Sequence, residues 1–233
     1  GVLGGLTVLF LLPTWISVSH ATLAQSFFCL TIVLVMITSP FWRKHSPTEF
    51  VGVRRTRVLA VATTSAILLQ LVLGALMRHT RSGLAIPDFP LTYGFLFPAF
   101  DPGEISGINE QRLVLDLPPV TLAQIWIHFA HRVGALLVTA IVALNVTHIL
   151  STYKNDSRLR EPALLMLLLL AVQILLGALT VWTAKGVETA TAHVATGALL
   201  MGLSVIVSVR SFQMYRPPAS AFDSDLIPEA TPS

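Results

Sequence analysis

Residues 175–198 read LLGALTVWTAKGVETATAHVATGA. An apolar run leads into a short polar turn, TAKGVE at 183–188, and a second run carries His193. Residues 2–25 read VLGGLTVLFLLPTWISVSHATLAQ. The two stretches align without a gap. Gly4 matches Gly177, His20 matches His193, and glycine and histidine stand 16 residues apart in both. LGGLTV and LGALTV differ at one position. A repeat fixes an architecture, and here the repeating unit is a pair of apolar helices with a histidine in the second.

Working outward, composition sets the solvent. Hydrophobic residues make up 54% and charged residues 12%, with a mean hydropathy of +0.74. A soluble domain carries about a quarter charged residues, so this chain belongs in a bilayer. A net charge of +3 gives no reason to expect nucleic acid. The single cysteine, Cys29, excludes an internal disulfide and a cysteine-based metal site, and reads as a small core residue.

Five segments reach the about 20 apolar residues that a spanning helix needs: 16–38, 58–77, 125–150, 163–182 and 189–209. Residues 1–12 read as the tail of a sixth. The runs are continuous, which favours helices over a barrel. The expected fold is all-α: a polytopic membrane protein built as a transmembrane four-helix bundle, the second bundle complete and the first partial. Residues 1–39 are the remnant of the first bundle and 40–57 a basic cytoplasmic loop. Residues 58–210 form the C-terminal bundle with an outer loop at 78–124, and 211–233 a disordered cytoplasmic tail. Two spans of the first bundle are expected upstream of Gly1, so the chain alone is expected to be inactive.

Loop charge sets orientation. Arg43, Lys44, Arg54, Arg55 and Arg57 share one loop, and Lys154, Arg158 and Arg160 another. These stay on the inner side. The loop at 80–124 and the 183–188 turn then face outward. Trp15, Trp42, Trp126 and Trp182 fall at span ends, as interfacial anchors do. Thr121 with Gln124 predicts a capping box, and Pro162 a first helical turn.

His20, His131 and His193 each lie within about two turns of the outer end of their span, at about 1.5 Å of rise per residue. A polar group at that depth must face the bundle interior and find a partner. Two imidazoles on separate helices can grip a haem iron from both faces, given an apolar slot and a cation near the propionates. His131 and His193 share one bundle and form the natural pair. Arg132 follows His131 and is placed to reach a propionate. Ala192, Thr196, Gly197, Ala198 and Gly202 leave room beside His193. The competing reading gives each histidine a backbone carbonyl instead. His128, one turn from His131, reads either as ligand or proton relay, or as an interfacial hydrogen-bonding group. His79 reads as lining the mouth, and His45 and His148 as structural or solvated. Zinc is disfavoured, since no HxxxH or CxxC spacing occurs. The outer loop is punctuated by Gly83, Pro87, Pro90, Gly94 and Pro98 and reads as a lid. Asp88 is its one acid between two prolines, either an exposed turn acid or a reactive one.

The combination LQLVLGALMRHTRSGLAIPDFPLTYG, IHFAHRVGALLV, QILLGALTVWT and TAHVATGALL, in that order, resembles the haem A synthase family. GVLGGLTVLFLLPTWISVSHATLAQSFF resembles its third and fourth spans. The resemblance covers all but about the last 20 residues. It implies two pseudo-symmetric four-helix bundles, with haem B (heme b) held in the second by His131 and His193. It implies that the first bundle takes the substrate, haem O, with His20 as one iron ligand. The implied reaction oxidises a methyl group of haem O to a formyl group, through hydroxylation, giving haem A for cytochrome oxidase. Implied partners are haem O synthase, cytochrome oxidase assembly factors and a second copy of the chain. The implied location is the bacterial cell membrane, with the mitochondrial inner membrane as the alternative. The family's catalytic glutamate lies in a span this chain does not cover; the matching position of the second copy is His128. The cysteine pair of many members matches Ile86 and Thr92, which rules that disulfide out. Two other function classes share the pattern: a di-haem b-type electron-transfer subunit, and a cofactor-free transporter or scaffold.

Overall fold

The computed structural model of the protein describes residues 1–44, 46–97 and 103–218. His45 and the tail from 219 onward lie outside the described residues. The helices run α1 Val2–Leu9, α2 Thr14–Thr38, α3 Pro40–Lys44, α4 Val53–His79, α5 Glu104–Val114, α6 Leu122–Thr152, α7 Ser157–Trp182 and α8 Val187–Met214. Five of these, α2, α4, α6, α7 and α8, are long and apolar enough to cross a membrane. Together with the exposed leucines, valines and phenylalanines along them, they make this an all-α, multi-pass membrane protein.

Helix ends follow local chemistry. Thr121 accepts from the Gln124 amide (3.3 Å), and Gln124 Oε1 accepts from the Thr121 amide (3.0 Å), the reciprocal capping box that opens α6. Asp156 caps α7 by accepting from the Arg158 amide at 3.0 Å. This cap starts α7 earlier than the expected span, so Pro162 stands in the second turn rather than the first. Proline deprives the carbonyl four residues back of its donor. That carbonyl, on Arg158, accepts from the Arg210 guanidinium instead.

α4 packs on α6 and α8, and α7 packs on α6 and α8, closing a ring of four antiparallel helices. α2 lies against α4 and α8, with α1 folded back on α2. The bundle expected at 58–210 overlaps this ring in sequence. The ring extends further at both ends: α4 begins at Val53, and α8 runs to Met214.

The inner end is latched. Thr48–Glu49 (β1) pairs in parallel with Tyr215–Arg216 (β2), backed by an Arg216–Glu49 ion pair at 3.1 Å. Arg57 donates to the Phe212 and Tyr215 carbonyls (3.4 and 2.5 Å), placing a cation at the C-terminus of α8, where the helix dipole favours it. Residues 211–216 are therefore helix and strand, a correction to the boundary that assigned them to a disordered tail. The tertiary latch orders them, and no local pattern announces it.

Buried apolar residues form two clusters. The larger, including Ile67, Val138, Val142, Met166, Leu170 and Leu200, fills the inner half of the ring. The smaller, Ala85, Ile86, Val120 and Ile125, lies under the outer loop.

Candidate functional site

The three candidate histidines lie between those clusters. Along α4 no residue from Leu68 to His79 is fully buried. The same holds for 129–137 of α6, 171–177 of α7 and 187–196 of α8. A layer of half-covered and exposed side chains thus separates the two buried clusters. His131 and His193 stand in this layer, on α6 and α8.

Each histidine packs over a glycine. His131 Cε1 lies 3.2 Å from where a Cβ on Gly74 would stand, and His193 Cε1 lies 3.2 Å from the same point on Gly177. His20 repeats the contact with Gly4, again at 3.2 Å. Glycine at these points lets a flat ring approach the neighbouring backbone. His20 itself is exposed, on α2 at the edge of the ring. Thr14, at the start of α2, donates to the His79 carbonyl at the end of α4 (3.4 Å), which brings the outer ends of both helices to one level.

Two glutamines complete the layer. Gln70 Nε2 stands 3.1 Å from His131 Nδ1 and 2.8 Å from the His131 carbonyl. Gln173 Nε2 stands 3.4 Å from His193 Nε2. Sequence reasoning missed both, although the signal is present: QLVLG at 70–74 and QILLG at 173–177 put a glutamine four residues, one helical turn, before each glycine. His193 Nδ1 and Gln173 Oε1 are buried without a hydrogen-bond partner. Two cavities of about 530 Å³ open at the inner ends of the helices, and none of the three histidines lines either.

The COX15-CtaA family, described as cytochrome oxidase assembly protein, matches residues 1–205. The chain belongs to this family. Similar members include proteins named heme A synthase from three organisms. That of Staphylococcus carnosus is 24% identical over 192 residues, covering 82% of this chain and 55% of the relative. That of Lysinibacillus sphaericus is 26% identical over 203 residues, 87% of this chain and 60% of the relative. That of Neorickettsia sennetsu is 27% identical over 197 residues, 84% and 55%. The chain spans about 55–60% of the length of these relatives.

For a member of the cytochrome oxidase assembly family, the outer loop is held in an instructive way. Arg132 donates to three of its carbonyls: Ile86 (3.2 Å), Asp88 (2.6 Å) and Leu91 (2.8 Å). The Asp88 carboxylate accepts from the Tyr93 and Gly94 amides at 2.8 and 2.9 Å. Asp88 is thus a turn acid, consistent with its bland reading. Ile86 and Thr92 are both buried, and this polar net binds the segment between them. Arg112, 2% exposed, donates to Leu84 (3.0 Å) and Pro118 (2.8 Å) and ties the loop to α5. Arg132 lies beside His131, as the sequence requires, but in this structure its guanidinium engages the loop.

His128 is buried, and its Nδ1 accepts from the Ile86 amide at 3.1 Å. Its Nε2 lies 3.3 Å from the Arg132 Nε–H; a neutral imidazole accepts at one nitrogen only, so His128 takes the Ile86 amide or Arg132, one at a time. The structure thus gives His128 a loop-anchoring role. His148, at the inner end, bonds Thr56 Oγ1 at 2.9 Å, in keeping with a structural role. Among the described residues, no three of His, Cys, Asp or Glu converge as a metal cluster. A porphyrin iron needs only two, because the macrocycle supplies the other four nitrogens.

Proposed function

We propose that this protein is a haem A synthase: that it oxidises a methyl group of haem O to the formyl group of haem A, with haem B held by His131 and His193. The supporting observation is the open layer of the four-helix ring, where two imidazoles on different helices each lie over a glycine. The donor set fits a haem. His193 Nδ1 is a buried nitrogen without a partner. Gly74 and Gly177 leave room for the imidazoles of His131 and His193, which a Cβ would crowd. Bound there, haem B would supply one-electron transfer. The protein's own residues would orient it: His131 and His193 would hold it, Gly74 and Gly177 would admit the histidine rings, and the loop anchored by Arg132 and His128 would exclude water from the mouth.

His20 over Gly4 repeats this arrangement between α2 and α1, and we assign it to the iron of haem O. The location that fits is the bacterial cell membrane. The partners that fit are the enzyme that makes haem O and the factors that assemble cytochrome oxidase. The test is to purify the natural protein and its His131→Ala, His193→Ala and His20→Ala variants, then extract and identify their haems. The first two variants should lose haem B, and the third should lose conversion of haem O while keeping haem B. A parent without a Soret band would end this reading.

A further inference from the structure

One of the two cavities at the inner ends of the helices is a groove of about 530 Å³ between α4 and α8, lined by Arg54, Arg57, Val58, Val61, Ala62 and Phe212. Its α4 residues stand at 54, 57, 58, 61 and 62, so they share one helix face. Val58, Val61 and Phe212 are large apolar groups left exposed on two helices long and apolar enough to cross a membrane. Apart from the two guanidiniums the lining is apolar, and no acid takes part in it.

The two arginines stand against local electrostatics. α4 begins at Val53, so both lie near its N-terminus, where the helix dipole disfavours cations, and its first turn holds no acid. For Arg57 the fold supplies compensation. Its Nε donates to the Ser211 carbonyl and its Nη2 to those of Phe212 and Tyr215, and its guanidinium carbon lies 4.7 Å from the centre of the Phe212 ring. These contacts hold the fork in place and leave Nη1 without a hydrogen bond among the described residues. Arg54 is exposed and makes no hydrogen bond or ion pair among the described residues. One pinned and one free guanidinium thus stand at the polar end of an apolar groove. A ligand that complements both parts has an anionic head and an apolar chain.

We propose that this groove binds an anionic phospholipid: an acyl chain lies along Val58, Val61 and Ala62 against Phe212, and the phosphodiester takes charge-assisted hydrogen bonds from Arg54 and from Nη1 of Arg57. Guanidinium is suited to phosphate because its donors form a planar fork. Basic groups at the ends of spanning helices are where anionic head groups collect. A zwitterionic lipid brings a cation of its own to the two arginines and is the poorer ligand. The bound lipid offsets the uncompensated charge at the start of α4, and a ligand held only by the folded state stabilises it. The site is independent of any haem bound at the histidine layer.

The experiment is native mass spectrometry of the purified natural protein in detergent, titrated with dioleoyl phosphatidylglycerol or dioleoyl phosphatidylcholine. The first phosphatidylglycerol should be retained at concentrations where phosphatidylcholine is lost. Arg54→Gln should weaken its binding about fivefold, the scale of one basic residue at an anionic surface. Arg78→Gln removes an exposed cation at the other end of α4 and should leave binding unchanged. Ala62→Trp fills the groove and should also weaken it. Phosphatidylglycerol bound no better than phosphatidylcholine overturns the proposal, as does equal binding in the Arg54 and Arg78 variants. Binding left intact by Ala62→Trp, or full competition by glycerol phosphate, which has the anionic head and no acyl chain, overturns it too. Should Ala62→Trp fail to fold, the two arginine variants decide.

Discussion

His131 packs against Gly74, its Cε1 3.2 Å from the point where a Cβ would sit, and His193 stands in the same relation to Gly177. A contact at that distance gives way only by shifting the ring. Gly74→Ala and Gly177→Ala therefore displace the proposed ligands without touching them chemically. Alanine also raises helix propensity by about 1 kcal/mol. The two effects separate in measurement. Thermal stability of the haem-free protein should hold or rise, while haem affinity falls on the order of tenfold, the scale for disturbing a ligand's support. Unchanged affinity in a haem titration would show that the rings are free to move.

Arg132 holds the outer loop through three carbonyls, at 86, 88 and 91. Lysine keeps the charge but lacks the planar fork. Arg132→Lys should loosen 86–94 by about 1.5–3 kcal/mol, the scale of a hydrogen bond to a charged group. Amide hydrogen exchange reads this directly. Faster exchange confined to that segment is expected; protection equal to the parent would mean the loop is held elsewhere.

Gly202 on α8 faces α2. A Cβ there would stand 2.9 Å from Ile32 Cδ1 and 3.2 Å from Phe28 Cε1. Both are ends of flexible side chains, so Gly202→Ala is tolerated. Gly202→Leu overfills the contact, at about 1–3 kcal/mol, and should push α2 off the ring. Spin labels on α2 and α8 should report a longer, broader distance in the leucine variant, and an unaltered distance would contradict the packing described.

The inner latch carries a pH dependence. Burial pushes the Asp156 carboxyl up, but hydrogen bonds from Arg158 and Tyr215 outweigh it and hold the group below its ordinary range. A carboxylate depressed in the folded state stabilises the fold above the ordinary carboxylate range, near pH 4. That contribution is lost as pH falls through the depressed value. Acid unfolding of the parent should therefore be steeper below about pH 4 than that of Asp156→Asn. Identical acid transitions would remove Asp156 from the latch.

Much of this was legible in one dimension because the bilayer restricts the choices. A run such as 163–182 can satisfy its backbone only as a helix, and basic loops at 43–57 and 154–160 orient it. The gapless match of Gly4 and His20 to Gly177 and His193 already marked the residues that meet in space. The Thr121–Gln124 cap was equally local, and it stands as read. The start of α7 was misplaced because Asp156 caps it seven residues before the apolar run at 163.

What the linear chain determined by itself is the set of membrane-spanning helices and the place of the three histidines along them, a function of hydrophobic length. Tertiary structure alone decided what each polar side chain does there. Arg132 engages loop carbonyls, His128 takes the Ile86 amide, and Gln70 grips His131 because partners 42 to 61 residues apart are brought within hydrogen-bond distance. No local pattern encodes such pairings. In an apolar medium every donor must find some acceptor, and only the packing of helices and loop says which one is near.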